Sequence, residues 1–563
     1  MNPAEAAVLK PEPSQIIEYT RLEPGSEAAN DIRAQLWVIA QKPKLLATER
    51  CRECAVAVVK WLHARGQFYF YANRCDFAGV MYFDAKRKLL LHVQGDAFLA
   101  WLADCIATNR TERVFAYVQS AVETEGLTER STGIEPAAFW TATPGAIYLS
   151  CGPGSMVRIT ANKAELVDNG TDGVLFPFGA TLALWKFPML PRDPFESCAL
   201  FRDMQTAAPH GLELFKLWLC SLPSNQRTKP PLVLSGEVGS GKTRLAKGIF
   251  ELYGLPLRIV AVLKNGDGDF WAGLDGGGLF CIDNADTRID WLPDACAAAA
   301  TAGTLEKRRL YTDAERVSLK ARSWLCITSA SPTFAADAGL ADRLLVVRLN
   351  RRKGATAETE LSDEILRNRD GSLNWIVDKL RHALADNEPV PPGLNARHPD
   401  FASLAVRIGR AIASAKPNSG LDARSSGTLQ AEAVAALQAA ELDKGLFNLE
   451  NDNIGATLLE LLNSRPFNGT AAELLKELQE IDPALEGKLS VKRLAKRLAK
   501  LWPHLQSACR AESEKAHGGF TQYSFQKVAG NFGDFERNSL AKSPRETHDR
   551  TLLEMPLESH QIH

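Results

Sequence analysis

Leu232-Val233-Leu234-Ser235-Gly236-Glu237-Val238-Gly239-Ser240-Gly241-Lys242-Thr243 is the stretch on which the reading of this chain turns. The apolar run Leu232–Leu234 predicts a short buried strand, and Leu245, Ala246, Ile249 and Phe250 recur at helical spacing beyond Thr243. Between them stands G-x-x-x-x-G-K-[ST], in the strand–loop–helix context that gives the pattern meaning. The glycines let successive backbone N–H groups turn inward, and the helix N-terminus adds partial positive charge. Such a concavity accepts phosphate. Gly236, Glu237, Val238, Gly239, Ser240, Gly241, Lys242 and Thr243 are therefore the expected cradle for a nucleoside triphosphate. Lys242 would reach the β- and γ-phosphates, and Thr243 would hold Mg2+.

A phosphate loop alone fits kinases, transporters and GTPases equally, so the order of the motifs downstream of it narrows the choice. Gly278-Leu279-Phe280-Cys281-Ile282-Asp283-Asn284 is an apolar strand ending in an acid, the Walker B pattern. Burial on both faces would set Asp283 at the carboxyl end of a sheet, where it can position Mg2+ through water. A second such strand, Trp324-Leu325-Cys326-Ile327-Thr328, runs into Ser329 and would bring its hydroxyl near the γ-phosphate, the sensor 1 position. Arg343 stands just before a further strand; it suits a cation lent to a neighbouring subunit, or else a surface ion pair with Asp342.

This order and spacing resemble the AAA+ branch of P-loop ATPases, especially the superfamily 3 helicases and the primase–helicase proteins of phages, plasmids and mobile elements. The resemblance covers roughly residues 60 to 350 and is strongest at 236 to 349. It implies an α/β P-loop NTPase with an AAA+/RecA-like core, using ATP and Mg2+. It also implies a homo-oligomeric ring, expected as a hexamer, that translocates on DNA in replication of the element. Lys242, Asp283, Asn284, Ser329 and Arg343 would form its catalytic set. The segment Gly303–Arg322 looks like the family's β-hairpin, which projects basic residues into a central pore. Lys307, Arg308 and Arg309 would there meet single-stranded DNA, with Thr312–Glu315 as the turn and Arg316–Leu319 as the return strand. Without that context the basic run reads as a solvated face. Ala146–Ser150 and Met156–Thr160 are similar to part of the domain that precedes the family's helicase core. The chain matches only the helicase half of bifunctional relatives, so a separate primase is an expected partner. One departure bears on the chemistry: many AAA+ proteins carry a glutamate where Asn284 stands. Asparagine can orient water but cannot accept its proton, which leaves either Asp286 or the γ-phosphate itself to take it.

Past the core, Thr470-Ala471-Ala472-Glu473 is a capping box before Leu474, Leu475 and Leu478. Lys488 to Leu501 then predicts a helix with Val491, Leu494, Ala495, Leu498 and Leu501 buried. Lys492, Lys496 and Lys500 make an outer stripe, with Arg493 and Arg497 beside it. With two strand-like pieces flanking Lys515–Gly519, the unit resembles a winged helix, whose basic face would hold duplex DNA. Six cations without an acid between 488 and 500 favour that over a merely solvated face.

The expected organisation is a tail at 1–30, an N-terminal α+β accessory domain at 31–195, the ATPase core at 196–350, a helical region at 351–452, a winged helix at 453–528 and a polar tail at 529–563. Strand signals in the accessory domain include Gly173–Phe176. A net charge of −1 says nothing about partners, so DNA contact must come from local patches. With no signal-like or membrane-length apolar run, the expectation is a soluble cytoplasmic protein without membrane contact. The scattered cysteines, 11 in all, read as reduced thiols. Cys51 and Cys54 could begin a zinc site, but no second ligand pair follows, and the surrounding pattern carries both on one helix face. Two readings compete with the helicase: an ATP-switched DNA-binding initiator or loader that does not unwind, and a regulator working through the winged helix.

Overall fold

The computed structural model describes residues 31–71, 79–128, 131–261, 266–287, 289–308, 316–352, 354, 356–391, 394, 396–413, 425–515 and 521–527. Helices α1 (Ile32–Gln41) and α2 (Ala47–Arg65) precede strands β1 (Gly66–Tyr71), β2 (Val80–Asp84) and β3 (Leu89–His92). Then come α3 (Asp96–Cys105), α4 (Arg113–Gly126) and β4 (Thr132–Ile134). The sheet order is β3-β2-β1-β4, with β4 alone parallel to its neighbour. Val58 and Leu62 of α2, Leu102 of α3 and Val118 of α4 share a core with Phe68 and Tyr82 on one face of this sheet. Cys51 and Cys54 are buried on the inner side of α2.

Strands β5 (Trp140–Thr143), β6 (Ala146–Ser150), β7 (Ser155–Thr160) and β8 (Ala164–Asp168) form an antiparallel meander in sequence order. The strand expected at Gly173–Phe176 is absent: Thr171–Gly173 is a 3-10 turn and the next residues pair irregularly. Val174, Leu175 and Phe176 are apolar because they are buried, and they divide between two clusters. Their backbone is satisfied elsewhere: Phe176 N–H donates to the Asn169 side chain at 2.9 Å, and Leu175 C=O accepts from Ala137 N–H at 2.9 Å. A short apolar run bounded by turns signals burial more surely than ladder pairing.

After α5 (Gly211–Ser221) comes the centre of the molecule. Strand β9 (Leu232–Gly236) leads through a glycine loop into α6 (Lys242–Tyr253). Then follow β10 (Ile259–Val260), α7 (Asp267–Asp275), β11 (Leu279–Ile282), α8 (Leu292–Ala300), the hairpin β12 (Thr304–Arg308) and β13 (Arg316–Lys320), β14 (Trp324–Ser329) and β15 (Leu345–Leu349). Five of these strands form a parallel sheet in the order β10-β11-β14-β9-β15. Side chains alternate across it, as strand geometry demands. Leu232, Leu234, Cys281, Cys326 and Val347 enter one core; Val233, Ile282, Ile327 and Val346 enter the other. Helices α7 and α8 cover the second face.

The first face is covered by α5, α6 and the helices after the sheet: α9 (Glu358–Ala385), α10 (Pro399–Ala413) and α11 (Ser425–Asn451). Trp140, Leu149 and Val157 of the meander belong to that same cluster, with Trp140 edge-on to Tyr253 at 5.1 Å. Residues on both sides of the expected boundaries near 195 and 350 thus share one core. The C-terminal unit has its own. It comprises α12 (Asn453–Ser464), β16 (Phe467–Thr470), α13 (Ala471–Ile481), α14 (Val491–Ala508), β17 (Cys509–Lys515) and β18 (Thr521–Lys527), with Leu458, Leu474, Leu494, Leu498 and Phe525 packed together.

Candidate functional site

The carboxyl edge of the parallel sheet gathers most of the candidate nucleotide-site residues. At the end of β9, Gly236 lies against β15: a Cβ there would stand 2.3 Å from the Leu349 carbonyl oxygen. Gly239 and Gly241 have φ of +83° and +85°, a region that side-chain-bearing residues rarely adopt. Gly241 is the N-cap of α6, while Val238 stands exposed at the tip of the loop. Lys242 is buried, and its Nζ donates to the carbonyls of Gly236 and Glu237 at 2.8 Å each. Burial holds this amine below its ordinary pKa, against the opposing pull of Asp286 and Asp283.

Asp283 follows β11 directly. Because Ile282 pairs with Ile327, the next residues of the two strands, Asp283 and Thr328, come side by side. Thr328 Oγ1 donates to Asp283 Oδ1 at 2.6 Å and accepts from Asn284 N–H at 3.0 Å. Thr243 Oγ1, from the first turn of α6, donates to the same carboxylate oxygen at 2.7 Å. The loop's hydroxyl and the strand's acid are therefore joined as a divalent-metal site would require. The hydroxyl at the acid thus belongs to Thr328, one residue before Ser329; its mark in the sequence is a hydroxyl interrupting an apolar strand beside the strand that ends in an acid.

Ser329 is fully buried, and its Oγ donates to Asp286 Oδ1 at 2.6 Å. The N–H groups of Ala330 and Ser331 donate to the same oxygen at 2.7 and 2.9 Å. Burial raises the Asp286 carboxyl, but these three bonds, with Lys242 nearby, outweigh it and hold the group below its ordinary value. Asn284 sits between the two acids, exposed, with φ of +55°. Asparagine tolerates this left-handed conformation better than most residues.

Arg343 is not brought to this edge. Leu345 pairs with Leu232 and Leu349 with Gly236, so Arg343 stands at the opposite, amino end of the sheet. It makes no pair with Asp342, which lies 3.2 Å from Arg397 instead. Its guanidinium donates to the Gly339 carbonyl, and its own carbonyl lies 3.1 Å from His398 Nε2. Burial pushes the His398 imidazole down to about 4, although the Arg343 carbonyl opposes the shift.

The hairpin is antiparallel from Thr304↔Lys320 at its base to Arg308↔Arg316. Lys307 and Arg308 lie on β12; Arg309 and the turn lie outside the described residues. Glu135 holds the base, 2.9 Å from Lys320 Nζ and 2.8 Å from Arg322 Nη2.

On α14, Lys492, Arg493, Lys496 and Lys500 are exposed as expected, and Ser490 caps the helix. One expectation fails: Val491, at the first turn, is 42% exposed rather than buried. Arg497, expected beside the outer stripe, is engaged within the protein: its Nε donates to Asp452 Oδ2 at 2.9 Å, and Nη2 reaches the Ala336 carbonyl at 3.4 Å. Asp452 also caps α12 and approaches from the inner side, so the helical rotation that buries Leu494 and Leu498 turns Arg497 inward too. Strands β17 and β18 pair antiparallel, and the glycine-containing turn between them lies outside the described residues. Among the described residues, no helix is long and apolar enough to cross a membrane, and no group of three or more His, Cys, Asp or Glu could hold a metal ion.

No family model matches the chain, and no curated protein matches it. Among solved structures it is similar to the apo NrS-1 C terminal region, at 11% identity and a TM-score of 0.39, covering 84% of this chain and 98% of that one. A second apo structure of that region, spanning residues 305–718, gives 12% identity, the same coverage and a TM-score of 0.39.

Proposed function

We propose that the chain is an ATP-dependent DNA helicase or translocase of a phage or mobile element, acting as a ring, expected to be a hexamer. One observation carries this reading: Lys242, Thr243 and Asp283 meet at the carboxyl edge of the sheet, with Thr243 bonded to Asp283 beneath a glycine loop. In this reading Gly236–Thr243 is a P-loop that holds the triphosphate on backbone N–H groups, with Lys242 neutralising phosphate charge. Thr243 and Asp283 would hold Mg2+, which would supply positive charge to the phosphate oxygens. Thr328 keeps Asp283 in place. Asp286, oriented by Ser329, and Asn284 are the groups able to orient water.

Arg343, remote from its own loop, would serve a neighbour's site across a ring interface. Lys307, Arg308 and Arg309 would contact single-stranded DNA in the pore. The C-terminal unit, read as a winged helix, would hold duplex DNA through Lys492, Arg493, Lys496 and Lys500, and a separate primase remains an expected partner. A nucleotide-switched initiator or loader is the second reading, favoured by Asn284 in the glutamate position and by the full engagement of Asp286 Oδ1. ATP hydrolysis measured with and without single-stranded DNA separates the two: strong stimulation supports the helicase, and nucleotide-dependent assembly without it supports the switch.

A further inference from the structure

We infer that Arg351 supplies, from the same chain, a second cationic contact for the phosphates of a nucleotide seated on Gly236–Thr243. The inference rests on the proposed nucleotide site and adds a residue that the loop's motif does not contain. Strand β15 runs beside β9 with Leu349 opposite Gly236. Its exit is fixed on the outer side, where Asn350 N–H donates to the Gln205 carbonyl at 2.9 Å. Arg351 follows at once and lies over the loop: its Nε is 4.0 Å from the point where a Cβ on Gly239 would stand.

The neighbouring arginines are committed elsewhere. Arg348 pairs with Asp443 at 3.0 Å and Glu450 at 2.5 Å. Arg352 donates to the Ala199 carbonyl at 3.2 Å and lies 3.7 Å from Asp203. Arg351 has no hydrogen bond or ion pair to any of the described residues and stands exposed at the loop. A nucleoside triphosphate carries several negative charges, and the single buried ammonium of Lys242 offsets only part of them. A guanidinium presents a planar fork of donors that matches phosphate oxygens, which an ammonium does not.

The test is a titration of the full chain with a fluorescent ATP analogue and Mg2+, with ADP as competitor. Wild type, Arg351→Ala, Arg351→Lys and Lys242→Ala are compared. Arg351→Ala is expected to weaken nucleotide Kd roughly tenfold, the effect of losing one charge-assisted hydrogen bond. Arg351→Lys should recover part of that loss, because charge returns without the fork. Melting without nucleotide should be unchanged; if the alanine variant melts early, Arg351→Gln repeats the comparison with the side-chain bulk kept. An unaltered Kd in Arg351→Ala, alongside lost binding in Lys242→Ala, overturns the role of Arg351 and leaves the nucleotide reading standing. Failure of the wild type to bind either nucleotide overturns both.

Discussion

Thr328 shows how much one hydroxyl can organise. It donates to Asp283 and accepts from Asn284 N–H, so it sets both the acid and the backbone turn beyond it. Thr328→Val keeps the shape but leaves a buried carboxylate short of a donor, which costs about 1–3 kcal/mol. Urea unfolding should show that loss, and Thr328→Ser should restore most of it; a valine variant as stable as wild type would contradict the bridge. His398 gives a pH dependence. Its folded pKa, about 4, lies below the ordinary 6.5, so between these values the unfolded chain binds more protons. This contribution to stability is complete above pH 6.5 and declines as pH falls towards 4. The melting temperature of His398→Gln should therefore fall less steeply than that of wild type across this window. Equal slopes would remove His398 as the titrating group. The loop and Asp283 were legible in the sequence because spacing alone places them. The division of work between Thr328 and Ser329 was not, because it depends on the register between β11 and β14, two strands far apart in the chain.

The hairpin and α14 were visible as elements, the first through family resemblance and the second through its period. What periodicity could not supply was the partner on the inner side. Arg497 lies beside the outer stripe on a helical wheel, yet Asp452, 45 residues earlier, captures it. Arg497→Ala should therefore lower the melting temperature of the full chain more than it weakens DNA binding. The four exposed cations should behave in the opposite way. If Lys492, Arg493, Lys496 and Lys500 all touch phosphates, the log–log salt slope on duplex DNA has a contribution of about −3.6, lost when all four are neutralised. Neutralising Lys307, Arg308 and Arg309 should instead remove DNA stimulation of hydrolysis while sparing duplex binding. If both sets lose both properties equally, the elements do not divide the work this way.

At the scale of the molecule, the central sheet is locked to the chain on both sides of it. The meander and α9 to α11 share a core with the sheet, and Glu135 ties the N-terminal region to the hairpin base. Sequence segmentation could not show this, because a boundary drawn near 195 or 350 looks the same in sequence whether it separates two cores or runs through one. The sheet also separates Arg343 from the loop by its whole length, so within one chain Arg343 cannot complete the site. Mixing Arg343→Ala with Lys242→Ala should accordingly restore part of the activity that each lacks, at interfaces pairing an intact loop with an intact arginine. Mixtures no more active than their parts would confine Arg343 to a structural role. The proposed helicase requires that the loop on β9 turn over ATP and that DNA govern the rate. Its most direct measurement is steady-state ATP hydrolysis by the full chain with and without single-stranded DNA, for wild type and Lys242→Ala. Basal turnover should be slow and stimulated by DNA, and Lys242→Ala should abolish it in both conditions. Turnover undiminished in Lys242→Ala would contradict it.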